Sequence, residues 1–488
     1  MNALRKIVVV GRDAELWLTS LPLARALKPA GTEIQVIELP SQLSAHDCYS
    51  AAPSLSGLHA LLGLDRRDVL TTCSGVPVIG QRFSGWSRTP SFCGDDAVQP
   101  AISDVDLLQY WTRAQIEGFG FPYERLSTAA TAAAMGRVPV EDQDGREFGA
   151  VHSGFHLLAK PYAGAMATLA KAWGLSVQRS DSVLVNREGD RITSVLVEGG
   201  YEVTADLFVD VSGPDAVLSS QQPGDHWSSW SKWLPMDRLV ISSAPPLKIP
   251  PPFADVRAVD GGWVGIFPLT GRSSIVGAFA SELCDENAFV VQLTDALGTS
   301  QIARPIVRQF AAGMRRPWIG NSVAVGASAV SLPPLDLMQL HLAHVGVTNL
   351  IAWLPTDVGD QEAATSYNDV IGRYAENVRD FQAAHHLLND RIGLPFWDSV
   401  RQAAPAANLQ GRIALFEARG IVPVFDEETF DAGMWAALFT GHGLVPRSFD
   451  PRVKRFSHAE VATKIGRLLE VVENKVGLMR TIPEYLAR

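Results

Sequence analysis

The residues best placed to do chemistry lie in the first 38 positions. Lys6–Val10 (KIVVV) reads as a short buried strand, followed by a turn at Gly11 and a helical run from Ala14 to Leu27. A second strand, Glu33–Ile37, ends in Glu38. A strand–turn–helix–strand of this kind holds a dinucleotide, with its diphosphate at the turn and a ribose hydroxyl on the acid closing the second strand. The turn departs from that chemistry. A G-x-G-x-x-G fingerprint started at Gly11 would place glycines where the chain has Asp13 and Leu16. Other constellations carry less. His385-His386, with Tyr374 and Asp380 nearby in sequence, either line a pocket or lie on a surface or a helix-packing face. His341 and His344 share a helix face but have no third ligand, so no metal site is expected. Cys48, Cys73, Cys93 and Cys284 form no C-x-x-C pair and read as reduced thiols. No G-x-S-x-G elbow, P-loop or H-E-x-x-H occurs.

Composition narrows the classes. A chain of 488 residues can bury a substantial core, and 47% hydrophobic with 19% charged residues is ordinary for a globular protein. A net charge of -10 argues against a nucleic-acid partner. No apolar run reaches the roughly 18–20 residues of a spanning helix, so no membrane role is expected. The chain opens directly into a strand without a secretory leader, which points to a cytoplasmic protein.

The pattern along the chain predicts the elements that position these residues. Residues 53–70 read as a helix with a stop at Gly63, and Val76–Trp86 as a strand. Residues 104–118 and 124–136 read as helical, and His156–Gly174 as one helix. Strands follow at Ser176–Gln178, Val183–Arg187, Arg191–Val197 and Val203–Val211. The stretch from about 225 to 310 alternates in strand fashion, at Leu239–Ser243, Ala254–Ala258, Gly262–Leu269 and Ser274–Phe279. Val323–Val325 runs into Gly326-Ala327-Ser328-Ala329, and a helix is expected from near Asp336 to Trp353. The rest is mainly helical, with an irregular insert around Leu394–Leu409. The predicted fold is α/β: a Rossmann-like dinucleotide-binding core with an inserted, mostly antiparallel substrate-side sheet and a C-terminal helical region. The expected division is a core over 1–355, its sheet insertion at about 225–310, and a substrate-side region over 356–488.

Long ordered segments then resemble one family. YNDVIGRYAENVRDFQAAHHLLNDRIGLPFWDSV (367–400) and LFEARGIVPVFDEETFDAGMWAALFTGHGLVPRSFDP (415–451) are similar to consecutive segments of the flavin-dependent tryptophan halogenases. These belong to the FAD monooxygenases built like p-hydroxybenzoate hydroxylase. Residues 318–355 resemble the family's late flavin-contacting strand and the helix after it, and ADLFVDVSGPDAVL (205–218) resembles its "DLFIDCSG" strand. The resemblance implies an enzyme that reacts reduced FAD, supplied by a flavin reductase, with oxygen and halide. Hypohalous acid then passes to a lysine beside an aromatic substrate, where a glutamate assists. It also implies cofactor contacts at Gly11, Ala14, Trp17, Glu38, Gly326 and Ser328, and substrate-side roles for Trp263, Pro268, Phe396 and Trp397.

The departures from the family sit at the chemistry. Its glycine fingerprint becomes Gly11-Arg12-Asp13-Ala14-Glu15-Leu16-Trp17, which puts a carboxylate where a diphosphate should approach. One such charge pair at about 4 Å and an effective dielectric of about 20 costs roughly 4 kcal/mol. The Gly-Glu-Ala-Thr strap becomes Cys48-Tyr49-Ser50-Ala51. The lysine position, four before Arg82, is Val78, and no lysine occurs between Lys28 and Lys160. Arg82 stays protonated and is a poor nucleophile. The family's glutamate matches Asp336, which is either a general base or stabiliser or the N-cap of the following helix. The WxWxIP motif becomes Trp263-Val264-Gly265-Ile266-Phe267-Pro268, where Gly265 either opens the bulky wall or marks close packing. Two functions stay open. One is a non-catalytic relative that binds a small aromatic ligand, a peptide or a related flavoprotein subunit. The other is a divergent flavin-dependent halogenase or monooxygenase acting on an indole- or peptide-like aromatic substrate. A homodimer is compatible with either.

Overall fold

The structure is a computed structural model that describes residues 4–94, 101–102, 105–141, 147–148, 151–221, 226–355 and 360–487. Compact packing divides the chain into two units. Met1–Ser74, Leu157–Ser231 and Ala311–Glu376 form the first; Gly75–His156, Lys232–Phe310 and Asn377–Arg488 form the second. This grouping cuts across the 1–355 and 356–488 regions drawn from the sequence, because the chain passes repeatedly between the two units.

The first unit is built on strand β1 (Lys6–Gly11), helix α1 (Asp13–Leu27) and strand β2 (Glu33–Glu38), the unit read from the sequence. β-Branched residues fill β1 and favour a strand buried on both faces. β1 lies between β2 and Leu207–Val211, parallel to both, with Gly11 opposite Glu38 on one side and Val211 on the other. Ser176–Arg179 and Ser322–Ala324 extend the parallel sheet, and Trp318–Ile319 closes it antiparallel. Val8, Val10, Ile37 and Phe208 form part of one core with the Val183–Glu188 and Arg191–Val197 hairpin. The Rossmann-like expectation is the observed architecture.

The second unit carries a seven-stranded sheet in the order Ile306–Gln309, Arg238–Ala244, Ser273–Phe279, Gly262–Pro268, Ala254–Val259, Gly80–Ser84, Ser91–Gly94. Its pairs are antiparallel except Ala254–Val259 with Gly80–Ser84. The expected inserted sheet is thus present, widened by two strands from earlier in the chain. Val240, Val264, Ile275 and Phe279 pack with Phe289 and Leu293 of the Glu286–Leu297 helix.

Several local expectations are corrected. Residues 53–70 form two helices, Leu55–Leu62 and Arg66–Thr72, separated at Gly63 in the left-handed region. Val76–Trp86 is two strands, Val76–Val78 and Gly80–Ser84. The helix expected from 104 begins at Leu107, position 104 itself lying outside the described residues. The helix expected from His156 begins at Ala159, because Gly154, Phe155 and His156 pair with Val78, Pro77 and Val76 in a strand. Most of the insert at Leu394–Leu409 is helical, in Pro395–Gln402 and the start of Ala407–Arg419. No helix among the described residues is long and apolar enough to cross a membrane.

Candidate functional site

The turn after β1 brings together the first set of candidate residues, all in the first unit. Gly11 is required by its own sheet: a Cβ there would lie 2.3 Å from the Val211 carbonyl oxygen. A residue read as a cofactor contact is therefore already demanded by strand packing. Gly11→Ala is expected to destabilise the protein by about 1–2 kcal/mol through overpacking, measured by urea denaturation. Asp13 has a φ of 58°, the left-handed region that glycine occupies most easily. The chain thus keeps a glycine-like bend while carrying a carboxylate there. Ala14, Leu16 and Trp17 are buried in the α1 interior.

Phosphate cradles work by offering unspent donors: backbone N–H groups at a turn or helix start, and a cation. Here the donors at the turn are engaged by acids of the chain. Asp13 Oδ2 accepts from the Gln42 N–H at 3.3 Å. Glu15 accepts from the Ala327 N–H at 3.1 and 3.3 Å through its two oxygens. Arg12 Nη1 pairs with Asp215 Oδ2 at 2.6 Å, and Gln42 Nε2 donates to the same oxygen at 2.6 Å. Burial pushes the Asp13 carboxyl up, against the lowering pull of Ser41, Gln42 and Arg12. Burial pushes Glu15 further, to about 7, with Asp13 adding repulsion and the Ala327 N–H opposing both. Glu15 retains some surface, but its carboxyl group is enclosed. The Gln42 and Ala327 N–H groups and the Arg12 guanidinium are thus each matched to a carboxylate of the chain.

The other proposed cofactor residues are also engaged. Glu38 sits at the end of β2 as expected, where Arg179 Nε donates to it at 2.9 Å. That partner is largely exposed, so the pair is weak and exchangeable. Ser328 Oγ bonds Asp210 Oδ1 at 3.2 Å and the Gly213 carbonyl at 3.1 Å. Gly326 has a φ of 62° and faces the Glu15 carboxyl.

Asp336 is buried in the first unit and is not a helix cap. The helix begins at His341, with Leu340 as its N-cap. Asp336, Leu337 and Leu340 all have positive φ, of 57°, 61° and 67°. Such backbone costs about 1–3 kcal/mol per residue and persists only where the surroundings fix it. The strand Cys48–Ala51 supplies that fixing: Ala51 bridges Met338, and the Ser50 N–H donates to Gln339 Oε1 at 2.7 Å. The strap position thus keeps a structural link to the acid segment with different side chains. Tyr49 and Tyr162 meet edge to face at 6.0 Å, and Tyr162 Oη lies 2.7 Å from His59 Nε2. Burial holds His59 near 3.

The second unit holds the remaining candidates. Val78 is fully buried, at 0% exposure, and ends the strand Val76–Val78. Arg82 is committed to Asp255, with Nε–Oδ1 at 3.1 Å and Nη2–Oδ2 at 3.0 Å, and Arg257 binds the same carboxylate. Burial alone would raise the Asp255 carboxyl, but the two arginines outweigh it and hold it below the usual range. Gly265 does not open the strand Gly262–Pro268. The Phe267 ring lies 2.7 Å from where its Cβ would stand, and Trp263 packs at 3.5 Å, so the next aromatic on the same strand face fills the space. Both Trp263 and Phe267 are buried.

Pro268 accepts from His156 Nδ1 at 3.2 Å. His156 was hidden in a stretch that reads as helix. Burial pushes it to about 3, so it is neutral and serves to hold the strand end. Phe396 and Trp397 are buried, and Trp397 Nε1 donates to the Val259 carbonyl at 2.7 Å. His385 and His386 are buried packing residues, which removes the surface alternative; His385 Nδ1 and His442 Nε2 are 3.0 Å apart. Among the described residues no group of three or more His, Cys, Asp or Glu could hold a metal. One cleft escaped the sequence reading. About 540 Å³ in volume, it is lined by Arg82, Phe92, Glu124, Met135, Phe253 and Leu469 among others. Arg82 stands 5.0 Å over the Phe253 ring, and burial raises the Glu124 carboxyl.

Comparison with known proteins agrees with the architecture. The family model described as tryptophan halogenase matches residues 6–458. The chain is 24% identical over 467 residues to tryptophan 7-halogenase KtzQ of Kutzneria sp. (strain 744), covering 90% of this chain and 86% of that protein. It is 22% identical over 535 residues to tryptophan 6-halogenase ThaL of Streptomyces albogriseolus, covering 99% of each. Among solved structures, BrvH, a flavin-dependent halogenase from Brevundimonas sp. BAL3, superposes with a TM-score of 0.91 at 26% identity, covering 99% of each chain. With nearly its whole length matched, this chain belongs to the tryptophan halogenase family of flavin-dependent proteins.

Proposed function

We propose that this member of the family no longer halogenates and acts as a binding protein for a small aromatic ligand or an aromatic-bearing peptide, with a related flavoprotein subunit as a further candidate partner. The observation that carries this reading is Val78. A fully buried aliphatic side chain stands at the position of the family's lysine, with no lysine nearby in sequence. An aliphatic group neither hydrogen-bonds hypohalous acid nor forms a haloamine. The turn after β1 supports the same reading, since Asp13, Glu15 and Asp215 occupy donors that a diphosphate would use. FAD uptake is accordingly weak or absent. The cleft lined by Phe92 and Phe253 among others has a volume within the usual range for a small-molecule site. The relatives named above are tryptophan halogenases, which favours indole compounds as the first ligands to try.

A second reading is a divergent flavin-dependent halogenase or monooxygenase for an indole- or peptide-like substrate, fed by a flavin reductase. One observation favours it: Asp336 is a buried carboxylate on strained backbone, a pairing common at active sites. The test supplies purified protein with reductase-generated reduced FAD, oxygen and chloride or bromide, with tryptophan, indole or a tryptophyl peptide as substrate. Mass spectrometry is expected to show no halogenated or hydroxylated product; halogenated indole, even slowly formed, refutes the proposal. Val78→Lys is expected to yield no product in the same assay and to melt at a lower temperature, since it buries an ammonium group in an apolar strand.

A further inference from the structure

Gly326 has no Cβ, and a carboxylate packs against the space that Cβ would enter. An atom built there would lie 2.7–2.9 Å from Cδ and both carboxylate oxygens of Glu15. With φ at 62°, Gly326 also turns the Ala327 N–H onto those oxygens. A turn that presents an N–H beside an open Cα is the kind of concavity in which nucleotide-binding folds seat a phosphate oxygen. Neighbouring groups repeat the pattern: the Gln42 N–H is held by Asp13 and Arg12 is held by Asp215. Each pairing is a donor matched to an acid, reached from a different part of the first unit.

We propose that Glu15 is the resident anion of this cradle, seated in the turn in place of a ligand phosphate oxygen and, with Asp13, closing the cradle to phosphate-bearing ligands. This rests on the reading that the flavin chemistry has been lost, and adds a claim that reading does not contain: the closure resides in two side chains and can be reversed. The carboxylates act in two ways. They take the N–H groups that would bind a phosphate, and they set negative charge beside it. Burial raises the Glu15 carboxyl and Asp13, which faces it, repels it, so the full negative charge is present only above about pH 7. Tyr49, raised first by burial and then by Asp13 and Glu15, stays a neutral phenol whose oxygen takes the Ala14 N–H.

The test is calorimetric titration with ADP and with FAD. It compares the wild type, Glu15→Ala, Asp13→Gly/Glu15→Ala and the remote charge control Glu33→Gln, each checked for native circular dichroism. Glu33 lies at the opposite end of β2 from Glu38 and is exposed. Wild type and Glu33→Gln are expected to bind ADP equally poorly. Glu15→Ala is expected to gain about tenfold or more, and the double variant more again. ADP binding that is the same in wild type and in both cradle variants overturns the proposal, as does an equal gain in Glu33→Gln. If the double variant does not fold, Glu15→Ala alone decides. Halogenated product from the wild type would refute the functional reading and leave this comparison of affinities intact.

Discussion

Arg412→Ala is expected to destabilise the protein by about 3–5 kcal/mol. Arg412 projects from the Ala407–Arg419 helix of the second unit into a site where it is 1% exposed and pairs through Nη2 with Glu428, whose side chain is 4% exposed. Its guanidinium also stacks over Trp435, at 4.4 Å, and Phe425, at 4.7 Å. The large loss comes from what remains. Without the arginine a buried carboxylate loses its cation and is left with Trp435 Nε1 at 3.4 Å as its hydrogen-bond donor among the described residues, while two aromatic faces lose their cover. Removing both charges in Arg412→Met/Glu428→Gln should recover part of the loss, because no lone charge is then buried. Urea denaturation measures both variants. A single-variant loss below about 1 kcal/mol would place the pair among weak surface bridges and contradict this account.

Glu15→Gln should stabilise the protein at alkaline pH by about 1–3 kcal/mol. Folding raises this carboxyl from an ordinary 4.5 to about 7, with burial the largest cause. A raised carboxylic acid binds more protons in the folded state than in the unfolded one across that window. Its contribution to stability therefore falls as pH rises from 4.5 to about 7, and the full penalty applies above. Glutamine keeps an oxygen for the Ala327 N–H and carries no charge to bury. The variant should exceed the wild type most above about pH 7 and match it below about pH 4.5. The melting temperatures of both proteins across that range give the difference curve. A difference that does not change with pH would show that Glu15 does not titrate between those limits.

The parts of the fold that were legible in the sequence are those set by periodicity. KIVVV, the α1 pattern and EIQVIE form the parallel unit, and the strands between Leu239 and Phe279 form the inserted sheet. What was not legible depends on contacts between distant residues. Glu15 reads as an ordinary acid in the first turn of a helix, and its partner Ala327 is 312 positions away. Gly11 reads as a cofactor contact until Val211 is seen against it. Asp336 reads as either a general base or stabiliser or a helix cap, and the cap alternative falls only when the helix is seen to begin at His341, after non-glycine residues with positive φ. Gly265 reads from the sequence as either an opening or a close-packing position, and only the Phe267 ring, two residues along the same face, decides for close packing. His156 was missed because a local helical pattern gave way to pairing with Val76.

The chain has a halogenase-family fold, and the loss of its flavin chemistry is the proposal that remains to be tested. The most direct measurement is equilibrium dialysis of the wild-type chain against oxidised FAD, and against reduced FAD under anaerobic conditions, with bound flavin read by absorbance. A colourless protein with no retained flavin at high micromolar concentration is expected in either redox state. A yellow protein holding one FAD per chain at low micromolar concentration would contradict the proposal.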